Sequence, residues 1–125
     1  MGWKEVRRKG GRLALFLVAL LGAAWLMRGN EGYSIQRARE AALKQNVFTL
    51  RHVIEEYTLD QRKRPQSLEE IVTSSYLEQV PADPMTRRYD SWVLEWSKDP
   101  KMPGIVDVHS SSHEIGSDGR AYCDW

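Results

Sequence analysis

Residues 13–27 read LALFLVALLGAAWLM, fifteen positions without a charge, closed at either end by Arg12 and Arg28. As a helix rising about 1.5 Å per residue this run covers about 22 Å, short of the roughly 30 Å hydrocarbon core of a bilayer. The flanking arginines can reach to headgroup depth, where Trp3 and Trp25 also fit, so one tilted or slightly mismatched span is expected. Lys4, Arg7, Arg8, Lys9 and Arg12 stand against Glu5 alone, giving residues 1–12 a charge of +4, while the remainder holds 13 basic and 16 acidic residues, −3. Positive charge ahead of the span predicts a cytoplasmic leader over 1–12, a membrane segment over 13–27 and an exported body over 28–125. A removed secretory signal is the rival reading, with Gly22 and Ala24 as its small residues, although apolar character continues past them through Trp25, Leu26 and Met27. Both readings put the body outside the cytoplasm.

The body has ordinary globular chemistry. Over the 125 residues, 42% hydrophobic and 28% charged side chains exclude disordered, collagen-like and polytopic membrane classes. The length suits one domain with an appendage rather than a large multidomain enzyme. A mildly acidic body without a Lys/Arg-rich face offers no footprint for nucleic acid, and a single cysteine, Cys123, forms no internal disulfide.

Gly29, Asn30, Gly32 and Ser34 predict a melted or kinked stretch after the span. Beyond it Leu43, Val47, Leu50, Ile54 and Tyr57 recur at steps of four, three, four and three, the spacing of one apolar stripe on a helix over about 34–59. Arg62, Lys63, Arg64 and Pro65 end that helix, and Arg37, Arg39, Lys44, Gln45, Arg51 and Glu55 fall off the stripe, toward solvent or a neighbouring subunit. Ser67 and Glu70 form a capping box ahead of Leu68, Ile71 and Val72, predicting a short helix over about 68–76. Pro81 and Pro84 then force a turn-rich stretch.

Trp92, Leu94 and Trp96 alternate with Val93 and Glu95 as in a strand with one buried face, with both tryptophans expected in the core. Ile105–Val108 predicts a second strand across the loop 98–104, and Ala121–Trp125 a third after the turn at Ser117, Asp118 and Gly119. The expected fold is α+β, a long helix packed on an antiparallel sheet of three to four strands over about 91–125.

Catalytic chemistry is not evident. His109 and His113 lie near Asp107, Asp118, Cys123 and Asp124, but four-residue spacing in a strand and loop does not align two imidazoles as it would on a helix. Ser110, Ser111 and Ser112 lack a nucleophile-elbow frame, and there is no Gly-rich phosphate loop. The basic runs 62–64 and 87–88 read as solvated loops. The turn at Asp118 and Gly119, with Ser117, Glu114 and Asp124 close by, offers hard oxygens suited to calcium as well as ordinary turn chemistry.

A basic leader, one apolar span running into an amphipathic helix and a small antiparallel sheet resembles the type IV pilin superfamily. NVFTLRHVIEEYTLDQRKRPQSLEEIV, YLEQVPADPMTRRYDSWVLEW, GIVDVHSSS and SDGRAYCDW are similar, in order and spacing, to type II secretion system pseudopilins of the G type. Tyr57, Asp60, Pro65, Ser67, Leu68, Pro81, Asp83, Pro84, Tyr89, Asp118 and Gly119 carry the likeness, which covers roughly residues 38–125. It implies a pilin-like fold and a non-enzymatic structural subunit of the bacterial inner membrane, body periplasmic. Its helix, through Leu13, Leu15, Phe16, Leu17, Leu20 and Leu21, would assemble with other pseudopilins and inner-membrane components of the machine into a homo-oligomer or filament. It also implies a calcium site in the C-terminal loop, at Asp118 and Asp124. Gly10 and Gly11 are the candidates for prepilin processing. Cleavage after them places Leu15 or Phe16 fifth, where the family carries a glutamate. That departure fits a minor or tip pseudopilin, or an uncleaved pilin-like membrane protein, better than an abundant fibre subunit. The alternative from another class is a membrane-anchored or secreted binding module with no filament role.

Overall fold

The computed structural model describes residues 2–125, with side chains at 11, 13–29 and 31–125. Gly10, Trp3 and the basic side chains of Lys4, Arg7, Arg8, Lys9 and Arg12 lie outside the described residues. Two helices, α1 (Gly2–Gln61) and α2 (Leu68–Thr73), precede two strands, β1 (Val93–Trp96) and β2 (Ile105–His109), and a 3-10 turn at Tyr122–Asp124. The chain divides into two compact units, residues 1–36 and 37–125.

Unit 1 is helical and its described side chains are exposed. The break expected at Gly29, Asn30, Gly32 and Ser34 is absent, and α1 therefore extends far beyond the expected 34–59. Glycine costs a helix about 1 kcal/mol against alanine and asparagine less, while proline, which alone removes the backbone donor, does not occur there.

In unit 2 the stripe Leu43, Val47, Leu50, Ile54 and Tyr57 is buried as its spacing predicts, in one cluster with Val53, Leu68, Ile71, Trp92, Ile105, Val108 and Tyr122. Helix α1 stops where Arg62 takes a left-handed conformation, φ 54°, which turns the chain toward buried Pro65. The Pro65 carbonyl then accepts the Ile105 amide at 2.9 Å, joining the end of the helix to the start of β2. Helix α2 is shorter than expected. Its cap is only partly the reciprocal box: Ser67 Oγ accepts the Glu70 amide at 3.1 Å, but Glu70 Oε2 reaches back to the Gln66 amide at 2.7 Å.

The sheet has two strands, not three or four. β1 and β2 pair antiparallel, Glu95 opposite Asp107 and Leu94 opposite Val108, with an irregularity between Glu95 and Trp96. That bulge breaks the alternation, so Trp92 is 7% exposed and Trp96 48%, and only Trp92 joins the core. Instead of the expected third strand over 121–125, Tyr122–Asp124 form the 3-10 turn because the amides of Tyr122 and Cys123 donate to the Glu114 and Ser112 carbonyls, while Asp124 closes back on Ala121. Extended pairing there is confined to a bridge between Ile115 and Ala121. The coiled geometry buries Tyr122, whose ring meets Trp125 edge-on at 5.1 Å between centroids.

Candidate functional site

Leu13, Leu15, Phe16, Leu17, Leu20 and Leu21 are all exposed along unit 1, as are Trp25, Leu26 and Met27. This helix is long and apolar enough to cross a membrane, and its apolar window is exposed. Gly11 is exposed helical backbone with open space where a side chain would begin.

In unit 2, polar residues of α1 reach across to later segments, among them Arg39, which was expected to face solvent or a neighbouring subunit. Arg39 Nε donates to the Pro84 carbonyl at 3.2 Å, and Asn46 Nδ2 to the Ala82 carbonyl at 3.0 Å. Asp83, fully buried, accepts Ser110 Oγ at 2.6 Å and the Met85 amide at 2.8 Å. Trp92 Nε1 donates to the Pro81 carbonyl at 2.8 Å. The Pro-Ala-Asp-Pro loop is thereby tied to the helix, the strand entry and the segment after β2. Tyr57, at the end of the stripe, donates to Glu70 Oε1 at 2.6 Å. That hydroxyl, with the Gln66 amide, holds the Glu70 carboxyl below its ordinary value, and the same bond with burial raises the Tyr57 phenol.

The C-terminal loop is fastened by Glu40. Only 5% exposed, it accepts the Ser117 amide at 2.8 Å, Ser117 Oγ at 2.5 Å and the Tyr122 hydroxyl at 2.9 Å. Of the calcium candidates, Asp118 accepts the Arg120 amide at 3.0 Å and the Arg120 guanidinium at 3.0 and 2.8 Å. These donors, the amide foremost, keep its carboxyl below its usual range. Asp124 is exposed beside Cys123, whose Sγ lies 3.4 Å from His113 Nδ1.

A second polar network sits on β2. Arg51 Nε donates to Asp107 Oδ1 at 2.6 Å, and Arg51 Nη2 to the main-chain oxygens of Trp125 at 2.9 Å and Val108 at 3.3 Å. The Val108 amide also donates to Asp107 Oδ1, at 2.7 Å. His109 Nε2 lies 3.5 Å from both Glu95 Oε2 and Asp107 Oδ2. Lys44 stands 4.5 Å over the Trp125 ring. Among the described residues, Glu95, Asp107 and His109 form the cluster of three or more acidic, histidine or cysteine side chains within reach of one ion; Asp118 and Asp124 belong to none.

Glu40 had a sequence signal that helix propensity obscured: it lies three residues before Leu43, one further step along the buried stripe. Arg51 and Glu95 carried none, because their partners come from distant segments or from strand register.

No protein-family model, curated protein or solved structure matches this chain.

Proposed function

We propose that the protein is a non-enzymatic, pilin-like structural subunit or accessory protein of a type II secretion or type IV pilus-like machine. In this reading Leu13–Met27 cross the bacterial inner membrane once, the N-terminus is cytoplasmic and residues 28–125 are periplasmic. The observation that carries it is the division of labour along α1: an exposed apolar section long enough for a bilayer, then a section whose stripe forms the core of a small α+β body. Exposed leucines in unit 1 have no reason to remain in water, since full burial of such a side chain is worth about 1.5–3 kcal/mol and these are more than half exposed. Lipid and the helices of neighbouring subunits both supply that burial.

The test is intact mass and N-terminal sequence of the protein isolated from its native membrane. A chain beginning at Gly11 or Arg12, with a methylated amine, supports processing and assembly with other pseudopilins. A chain beginning at Met1 supports an unprocessed anchor, and one beginning near Trp25 removes the filament reading. Calcium at Asp118 and Asp124 belongs to the same proposal, with Arg120 as the internal competitor for Asp118.

A further inference from the structure

We infer that the groove between α1 and β2 binds a carboxylate carried on an apolar stem, with Arg64 as the residue that receives it. Ile54, Thr58 and Leu59 of α1 and Val106 and Asp107 of β2 line this groove, and Arg51, Glu55 and Arg64 complete it. Its volume of about 380 Å³ lies at the small end of the roughly 300–1,000 Å³ found for ligand pockets. The observation that points to a ligand is Arg64 Nε, which is buried and has no hydrogen-bond partner among the described residues. A buried donor left unpaired is destabilising, more so on a charged group, and native structures leave few. Other polar groups of the groove are engaged: Arg51 Nε and the Val108 amide donate to Asp107 Oδ1, and Thr58 Oγ1 donates to the Ile54 carbonyl. Glu55 is exposed to water.

Arg64 is held in place through its backbone. It follows the left-handed turn at Arg62 and precedes buried Pro65, and its carbonyl accepts Gln66 Nε2 at 3.1 Å. The hairpin loop packs so close that a Cβ on Gly104 would stand 2.5 Å from Arg64 Cβ. The base of the side chain is thus fixed before anything binds, which lowers the ordering cost of a complex. Charge and apolar surface set the ligand class. Arg51 and Arg64 balance Glu55 and Asp107, so a polyanion such as a phosphate ester meets two carboxylates, whereas a single carboxylate gains a charge-assisted bond to Arg64 against less repulsion. Ile54, Leu59 and Val106 supply the apolar wall for the stem. That chemistry belongs equally to a free organic acid and to the C-terminus of a peptide. It does not depend on the membrane or filament reading, since the groove lies wholly in unit 2.

The experiment follows the Arg64 Nε–H resonance of the full chain in detergent at pH about 6, where a carboxylic acid is ionised. The probes are 3-phenylpropionate and the peptide N-acetyl-glycyl-glycyl-phenylalanine with a free C-terminus. A saturable shift is expected, and the probe that saturates at the lower concentration identifies the source. The neutral amides of both probes should bind at least about tenfold more weakly. Arg64→Met, which keeps the stem but removes every donor, should lower affinity at least about tenfold, read on the Val106 and Asp107 amides. Glu55→Gln, at an exposed position that leaves the fold intact, should raise affinity about two- to threefold by removing a like charge. No saturable shift with either probe, amides that bind as well as the acids, or affinity unchanged in both variants would each overturn the assignment.

Discussion

Glu40→Ala distinguishes a buried anchor from an ordinary helical glutamate by the sign of its effect. On an exposed helix face the change is favourable by a few tenths of a kcal/mol, because alanine is the better helix former. Here it removes the acceptor of three hydrogen bonds from Ser117 and Tyr122. Ser117 is exposed and regains water, so each of its bonds to the carboxylate costs only its net worth, about 1 kcal/mol. Tyr122 is 4% exposed, and a buried hydroxyl left without its partner costs about 1–3 kcal/mol. The sum is about 3–5 kcal/mol of destabilisation, or about 12–40 °C in Tm for a body of this size. Chemical and thermal unfolding of the full chain in detergent, followed by near-ultraviolet circular dichroism of the tryptophans, would measure it. Tyr122→Phe, which removes a single bond while Ser117 keeps its own, should cost about 1 kcal/mol. A Glu40→Ala protein as stable as the parent, or more so, would refute the anchoring role.

Trp92→Ala should cost about 3–5 kcal/mol and Trp96→Ala less than about 1, a contrast readable in the same unfolding assay, since burial rather than residue type sets the loss. Gly104→Ala should destabilise markedly, because φ is +135° and a new Cβ would stand 2.5 Å from Arg64 Cβ and 2.9 Å from the Pro65 carbonyl. The depressed Glu70 carboxyl makes the folded state bind its proton less readily than the unfolded chain, so its stabilisation is fully present above the ordinary glutamate value of about 4.3 and is lost as pH falls through the lower folded value. Glu70→Gln should flatten that acid limb of the stability curve. Arg120→Ala frees Asp118 from its ion pair, so any rise in Tm caused by calcium should be larger in this variant than in the parent.

What the sequence disclosed was periodic or local. The stripe from Leu43 to Tyr57, the Ser67 cap and the two strands of the hairpin follow from spacing and turn chemistry within a few residues. What it concealed depends on partners far along the chain. Trp96 shares the alternation of Trp92, and only the bulge, a matter of pairing with β2, separates their fates. Tyr122 and Trp125 read as strand residues by composition, but hydrogen bonds to Glu114 and Ser112 coil the segment. Arg39 and Arg51 are off the apolar stripe and so read as facing solvent or a neighbouring subunit, although a loop carbonyl meets the first and a carboxylate of β2 the second. The apolar section of α1 was legible as composition, whereas the unbroken helix through Gly29 and Gly32 was not, because weak local preferences yield to propagation of a long helix.

The bonds fastening Glu40 to Ser117 and Tyr122 span 77 and 82 residues, and that from Arg51 to Trp125 spans 74. The amphipathic section of α1 is therefore synthesised well before the pieces that cover it. Its apolar stripe must wait, uncovered, for the hairpin and the C-terminal turn to be made, a delay that favours slow folding and invites holding factors. The order of translation thus makes residues 105–125 the latch of the fold, and a ribosome stalled before them would leave a helix with its sticky side bare.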